Sequence, residues 1–258
     1  MVEAKGHHVP NASERLSDVL EAVSQEPTGL SAMEVADKLS MSRAASFRLL
    51  NLMVESSLLE KDANGQYRIA FRLWSMTAVA LRRLPLMEAS LLPMSDGVRS
   101  SGHTLILGVN RGLETYFLRK VEPVHDYVLT SVTGHRSPVN VTATGKAILA
   151  FEPQDVLDAV LAEPLPKITK LSLSGRALAE DLAKVRERGY AVNYGEGEIN
   201  SRGIAVPVFD FRRRPIAGIG TSVPVNGSED DVLPVLREVA GSIARAMGYL
   251  SDEAANLP

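Results

Sequence analysis

Residues 29–69 read GLSAMEVADKLSMSRAASFRLLNLMVESSLLEKDANGQYRI, and this stretch decides the fold of the N-terminal part of the chain. Ser31 stands where a helix N-cap is wanted, and Glu34 follows three residues later, the spacing of a capping box. Met33, Val35, Ala36 and Leu39 then give an apolar stripe at helical spacing. Ser40-Met41-Ser42 interrupts the pattern, and Ser42 is placed to cap a second helix. In that helix Phe47, Leu49, Leu50, Leu52, Met53 and Leu58 are expected to face inward, leaving Arg43, Ala44, Ser46 and Arg48 on other faces. Two short helices, a tight turn and small or basic residues opening the second helix describe a DNA-reading unit, whose second helix enters the major groove.

A helical hairpin in any globular core shares capped helices and apolar stripes, so the following segment carries much of the weight. Asp62-Ala63-Asn64-Gly65 separates Leu59-Glu60-Lys61 from Gln66-Tyr67-Arg68-Ile69, and Asn-Gly between β-prone stretches signals a hairpin. Helix-turn-helix followed at once by a hairpin is the winged form. Ser42 at the cap, with Arg43, Ala44, Ala45 and Phe47, is expected at base edges; Arg48, Lys61 and Arg68 are expected at phosphates. Alanines offer only apolar contact, to thymine methyls for example, so base preference leans on Arg43.

Composition sets outer limits. With 258 residues the chain has room for two domains, and with no cysteine it has no disulfide framework or thiolate metal site. No apolar run approaches the roughly 20 residues of a membrane span. The opening MVEAKGHHVPNASE lacks the apolar stretch of a signal peptide, so a cytoplasmic protein is expected. The net charge of −3 argues against general nucleic-acid binding, although Arg43, Arg48, Lys61, Arg68 and Arg72 gather around the reading head. Binding at a specific site, by an oligomer that pools small basic surfaces, fits that balance.

Around the reading head, a first helix is expected over Glu14 to Gln25, with Leu16, Val19, Leu20 and Val23 inward. After the wing, Phe71 to Leu84 reads as a helix closed by Pro85, and its Leu73, Trp74, Met76, Thr77, Ala80, Leu81 and Leu84 exceed what one side of a small domain covers. Either a second copy of the chain or the chain's own core covers it. From Leu86 the pattern becomes mixed: a helix re-entered near Pro93, then three β-rich runs, 103–110, 113–121 and 125–132, read as an antiparallel meander. Helices follow at Thr144 to Phe151, Pro153 to Ala162 and Ser174 to Arg188, then strands at Tyr190 to Tyr194, 203–210 and 215–223, and a last helix from Glu229 to Leu250. This is an α+β arrangement. Expected divisions are a winged domain over 1–70, a linker helix over 71–85, a sheet domain over 86–250 and a tail over 251–258.

At this point the chain resembles the IclR family of bacterial transcriptional regulators, from about Arg15 to Gly248. The resemblance rests on GLSAMEVADKLSMSRAASFRLL in the reading head, PVNVTATGKAILAF (138–151), LAKVRERGYAVN (182–193) and SRGIAVPVFD with PIAGIGTSV, in that order and spacing. It implies a winged helix-turn-helix, a linker helix, and a GAF-like effector-binding domain with an antiparallel sheet. It also implies dimers, often paired into tetramers, on double-stranded operator DNA. The implied effector site comprises the turn around Ala143, Thr144 and Gly145, whose backbone N–H groups at a helix start suit a carboxylate. Asn193 and Glu196 come from the loop after Tyr190. Gly203 stands where the family often has Cys, Gly220 and Ser222 at two small hydroxyl positions, and Asn140 at a common His. Glycines at 203 and 220 are expected to open space, favouring an aromatic or bulkier organic acid over a two- or three-carbon keto acid.

Other constellations carry less. Gly145-Lys146 lacks the upstream glycine and following hydroxyl of a phosphate-binding loop. His7, His8, His103, His125 and His135 show no metal-ligand spacing, and neither metal nor cofactor is expected. Glu196, Glu198 and Arg202 read as a solvated charged loop, and Arg212-Arg213-Arg214 as an exposed turn. With no nucleophile beside a base, an enzyme is not expected. The reading taken is an effector-controlled transcription factor; a metabolite sensor or enzyme with a winged assembly domain, and a ligand-free DNA-binding oligomer, are the alternatives.

Overall fold

The computed structural model describes residues 11–123, 133–223 and 228–248. The chain divides into two compact units that meet in sequence between Arg83 and Leu84. His7, His8, His125, the β-rich run 125–132 and the tail 251–258 lie outside the described residues.

The first unit holds α1 (Ala12–Ser24), α2 (Ala32–Lys38), α3 (Arg43–Glu55), β1 (Leu59–Lys61), β2 (Tyr67–Ile69) and α4 (Phe71–Arg82). Capping boxes open α1 and α2: Asn11 pairs with Glu14 and Ser31 with Glu34, each satisfying orphan donors of a first turn. Val19, Val23, Val35, Leu50, Met53, Leu59 and Tyr67 close one core. Leu30 bridges Tyr67 in antiparallel fashion, adding a third strand-like contact to the β1–β2 pair. Gly29 makes this approach possible, since at φ +81° a Cβ there would lie 2.7 Å from Tyr67 O. The hairpin is not a two-residue Asn-Gly turn. Asp62 N donates to Gln66 O at 2.9 Å and Gly65 N to Asp62 O at 3.0 Å, a three-residue loop with Gly65 left-handed.

The expected inward set of α2 and α3 needs correction. Met33, Phe47 and Leu52 are exposed, whereas Ser46 is fully buried and donates to Ala32 O at 2.8 Å, tying α3 to α2. An apolar stripe on a short helix is wider than the face that a small core covers, and the small Ser46 is tolerated inside because its hydroxyl finds a carbonyl partner. None of the residues of α4 is buried, and none joins the core of the first unit. It ends at Arg82, and Pro85 opens the next helix, where its missing N–H costs nothing.

The second unit begins with α5 (Pro85–Ser101), one helix that runs through Pro93 without a break. Strands β3 (Leu105–Arg111), β4 (Glu114–Val121) and β5 (Arg136–Pro138) precede α6 (Ala143–Leu149), α7 (Gln154–Ala162) and α8 (Gly175–Arg188). Strands β6 (Ala191–Tyr194), β7 (Arg202–Phe209) and β8 (Pro215–Val223) lead to α9 (Leu233–Ala246), which starts four residues later than expected. The six strands lie in the order β5-β4-β3-β8-β7-β6, every neighbouring pair antiparallel. Strand β5 is an element that sequence periodicity did not single out.

Period-two alternation sends Leu105, Leu107 and Val109 to the face packed by α5 and α9. Ile106, Gly108 and Asn110 face α6. The two helices on the first face touch closely at Gly97, where a Cβ would meet Val239 Cγ2 at 2.6 Å. On the second face α6 sits low, because Thr144 rests on a bed of glycines. A Cβ at Gly108 or Gly218, which pair across β3 and β8, would lie 2.8 or 3.0 Å from Thr144 Cγ2. Asn110 Nδ2 donates to Gly145 O at 3.0 Å and so fixes the helix start over the sheet.

Candidate functional site

In the first unit, α3 presents its cap and first turns to solvent. Ser42, Arg43, Ala44, Phe47 and Arg48 are exposed and Ala45 is half-buried. The Ser42 hydroxyl accepts from Ala45 N at 3.2 Å, fixing the helix start without consuming the arginines. Lys61 of the wing lies 5.7 Å from the Phe47 ring centre and 5.1 Å from that of Tyr67, so the wing cation stands beside α3. Arg68 of the wing and Arg72 at the start of α4 are more committed. Arg68 pairs with Asp62 at 3.1 Å and donates to Thr28 O at 3.2 Å, and Arg72 donates to Ser56 O at 2.8 Å, closing the C-terminus of α3.

In the second unit a cavity of about 370 Å³ opens over the sheet at the start of α6. Of the expected effector residues, Ala143, Thr144, Asn193, Gly203, Gly220 and Ser222 line it; Gly145 and Glu196 do not. Thr142 caps α6 and accepts from Gly145 N at 2.9 Å, so that N–H is already used. The cap leaves the first-turn N–H groups of Ala143 and Thr144 without an intrahelical partner, beside the cavity. Ile106 and Phe117 form a small apolar floor, and His135 stacks on Phe117 with ring centres 6.2 Å apart. Ser137, Thr142, Asn200, Ser201 and Thr221 add hydroxyl and amide groups. Among the described lining residues there is no Lys or Arg. Glu198 brings one carboxylate to the lining, so an anion here would be held by the backbone N–H groups and neutral side chains away from it, with an apolar body over Ile106 and Phe117.

Sequence reading missed the floor and His135. Their only signal was alternation: residues 106 and 117 lie on strands, on the face away from the main core. Three carried-over positions also need correction. Gly220 does not open space, since a Cβ there would meet Ile204 O at 2.8 Å; Gly203 does, with Ala143 Cβ and Asn193 Cβ at ordinary distances of 3.4 and 3.5 Å. Asn140 is buried away from the cavity, donating to Pro166 O at 3.0 Å and Leu173 O at 2.7 Å. Glu196 is not solvated. It is buried against Lys146 at 2.9 Å, and desolvation raises its pKa above the usual carboxylate value, opposed by the Lys146 ammonium and reinforced by Asp181. The same pairing removes Lys146 from any phosphate-binding role. Arg202 pairs with Glu229 and lies 5.1 Å from the Tyr194 ring centre. Arg212, Arg213 and Arg214 do form an exposed turn, organised by Asp210.

Among the described residues no group of three or more His, Asp or Glu is placed to hold a metal, and no helix is long and apolar enough to cross a membrane. A winged helix-turn-helix, with a separate cavity-bearing antiparallel sheet domain, defines the class: a DNA-binding protein of two-unit regulator architecture. The IclR helix-turn-helix model matches residues 12–63 and the IclR C-terminal model residues 78–247. The chain therefore belongs to the IclR family of bacterial transcriptional regulators, which are not enzymes.

Comparison with known proteins agrees. The Escherichia coli HTH-type transcriptional regulator XynR is 28% identical over 243 residues, covering 92% of this chain and 96% of the relative. KdgR of the same organism is 28% identical over 238 residues, covering 90% of each. The crystal structure of Thermotoga maritima IclR superposes with a TM-score of 0.72 at 28% identity, over 93% of this chain and 99% of that one. An IclR homolog from Microbacterium hydrocarbonoxydans, complexed with 4-hydroxybenzoate, gives 0.78 at 24% identity, over 93% of this chain and 100% of that one.

Proposed function

We propose that this regulator controls a catabolic operon and is itself controlled by a small organic or aromatic acid bound in the sheet-domain cavity. The observation that carries this reading is the cavity at the start of α6, where two first-turn N–H groups without an intrahelical partner stand beside an apolar floor. Its volume of about 370 Å³ falls within the roughly 300–1,000 Å³ typical of small-molecule sites. The 4-hydroxybenzoate of the Microbacterium homolog has the same two parts, a carboxylate and an apolar ring.

The proposed operator contacts are those of α3 and the wing. Arg43, Ala44, Ala45 and Phe47 approach base edges, with Ser42 at the cap, while Arg48, Lys61 and Arg68 hold phosphates. The protein acts as a homodimer or homotetramer in the cytoplasm. Exposed Phe71, Trp74, Met76 and Val79 on α4 support assembly, because an apolar helix face of that size is unstable in water alone. The effector regulates by binding one arrangement of the reading heads more tightly than another.

The test is a mobility shift on the DNA upstream of the protein's own gene, with competitor DNA, against 4-hydroxybenzoate, other aromatic acids, pyruvate and glyoxylate. A specific shift altered by an aromatic acid supports the reading. Tight binding of glyoxylate or pyruvate without any aromatic acid overturns the effector class, and a shift that no acid alters counts against control by such acids.

A further inference from the structure

Lys146 is fully buried on α6 and takes no part in the cavity. Its Nζ donates to Asp181 Oδ2 of α8 at 2.8 Å, to Glu196 Oε1 at 2.9 Å and to Val192 O of β6 at 2.7 Å, so all three protons are used. Glu196 is buried too, and its other oxygen, Oε2, has no hydrogen-bond partner among the described residues. Two carboxylates and one ammonium form an expensive arrangement to bury, and apolar residues of similar volume commonly pack as well or better. Packing alone therefore does not explain the pair.

Chain order does. Glu196 immediately precedes Gly197, Glu198, Ile199, Asn200 and Ser201, all of which line the cavity although Glu196 does not. The same point in the chain is fastened several times. Glu196 N donates to Asn193 Oδ1 at 2.9 Å, and its carbonyl accepts from Ser172 Oγ at 2.7 Å and Thr169 Oγ1 at 3.2 Å. Gly197 is pressed against the turn before α6, so that a Cβ there would lie 2.9 Å from Val141 O. Residues 198–201 then fold back on themselves, with Ser201 N and Oγ donating to Glu198 O at 3.1 and 2.7 Å.

We propose that the Lys146–Glu196 ion pair is a latch that positions the 197–201 wall of the cavity. Effector affinity is then set partly by two residues that never touch the effector. Both are positioning residues. The consequence for affinity rests on the effector reading above; the latch itself does not.

The test uses the full chain and three variants: Glu196→Ala, Glu196→Gln and Asp181→Asn. The last removes charge from the same lysine on the α8 side, away from the wall. Amide hydrogen exchange is followed in peptides covering 197–201, β7, β8 and α9. In Glu196→Ala, exchange over 197–201 should rise at least about tenfold with the strands unchanged, as for a local opening. Glu196→Gln, which keeps an acceptor for Lys146, should fall between this variant and the parent. Asp181→Asn should leave 197–201 within about twofold of the parent. Calorimetry with 4-hydroxybenzoate as the probe should show at least about tenfold weaker binding to Glu196→Ala, because the competent fraction falls. Unchanged exchange over 197–201 in Glu196→Ala overturns the latch. So does equal acceleration across the whole domain, which would make the pair a fold-stability element. Failure of 4-hydroxybenzoate to bind the parent chain counts against the effector reading, and the exchange arm still decides the latch.

Discussion

Two glycines that line the cavity should respond in opposite ways to the same substitution. Gly203 and Gly220 lie on neighbouring strands and both border the open space. At Gly203 an added Cβ meets Ala143 Cβ at 3.4 Å, Asn193 Cβ at 3.5 Å and Thr221 O at 3.9 Å, all ordinary contacts. Valine there grows into the cavity, and replacing a strand glycine recovers about 0.5–1 kcal/mol of backbone entropy. Gly203→Val should therefore melt no lower than the parent chain while losing effector binding. At Gly220 the added Cβ lies 2.8 Å from Ile204 O and 3.0 Å from Ala205 Cβ, so backbone must move. Overpacking of this kind costs about 1–3 kcal/mol, or roughly 2–12 °C of Tm in a chain of this size. Thermal unfolding and acid binding, measured on both variants, separate the two effects. A Gly203→Val protein that unfolds as early as Gly220→Val would refute the geometry. One that is stable and still binds acids with parent affinity would refute the placement of the effector.

Three further outcomes are expected. Arg43→Ala should weaken operator binding by about 1–3 kcal/mol and relax base preference, read by competition binding against operator variants; equal affinity for all of them in parent and variant removes Arg43 from base reading. Trp74 is the chain's sole tryptophan and 60% exposed on α4, so its emission should shift to the red on dilution if α4 carries the interface, whereas a concentration-independent spectrum argues against it. Asp210 titrates below the ordinary aspartate value: burial raises its pKa, but bonds from the Arg214 guanidinium and from the Arg214 and Arg212 N–H groups outweigh it. A depressed folded pKa stabilises above the unfolded value, about 3.9, and that contribution is lost as pH falls through the folded pKa. The stability gap between parent and Asp210→Asn should accordingly be open at pH 7 and close in that acid window, while a gap constant with pH would assign the effect to lost hydrogen-bond geometry alone.

How much of this was legible in the residues follows the range of the interactions. Capping boxes and hairpin chemistry act over three to five residues, so the start of α2 at Ser31-Glu34 and the wing around Gly65 could be read directly. Burial on α3 could not, because it depends on which face α2 covers; Ser46 goes in and Phe47 and Leu52 stay out for that reason. Pro93 suggested an interruption, yet the flanking turns of α5 are held by tertiary packing at Met94, Gly97 and Val98. Strand β5 escaped because three residues, one of them Pro138, give no period to detect.

The cavity divides along the same line. Its N–H donors follow from a helix start, a local feature, and its floor from alternation on β3 and β4. The wall at 197–201 does not, because what positions it is a partner about 50 residues away in sequence, Lys146. The sequence pattern put Lys146 beside a glycine where a phosphate-binding loop was the obvious comparison, and put Glu196 in a charged stretch where solvation was the obvious reading. Both readings treat an ion as exposed unless told otherwise, which is right for most surface charges. The structure reverses them together, since each supplies a counter-charge to the other inside the protein. A charged residue inside an apolar helix, such as Lys146 between Gly145 and Ala147-Ile148-Leu149-Ala150, is thus the sequence-level sign that should prompt a search for a distant carboxylate.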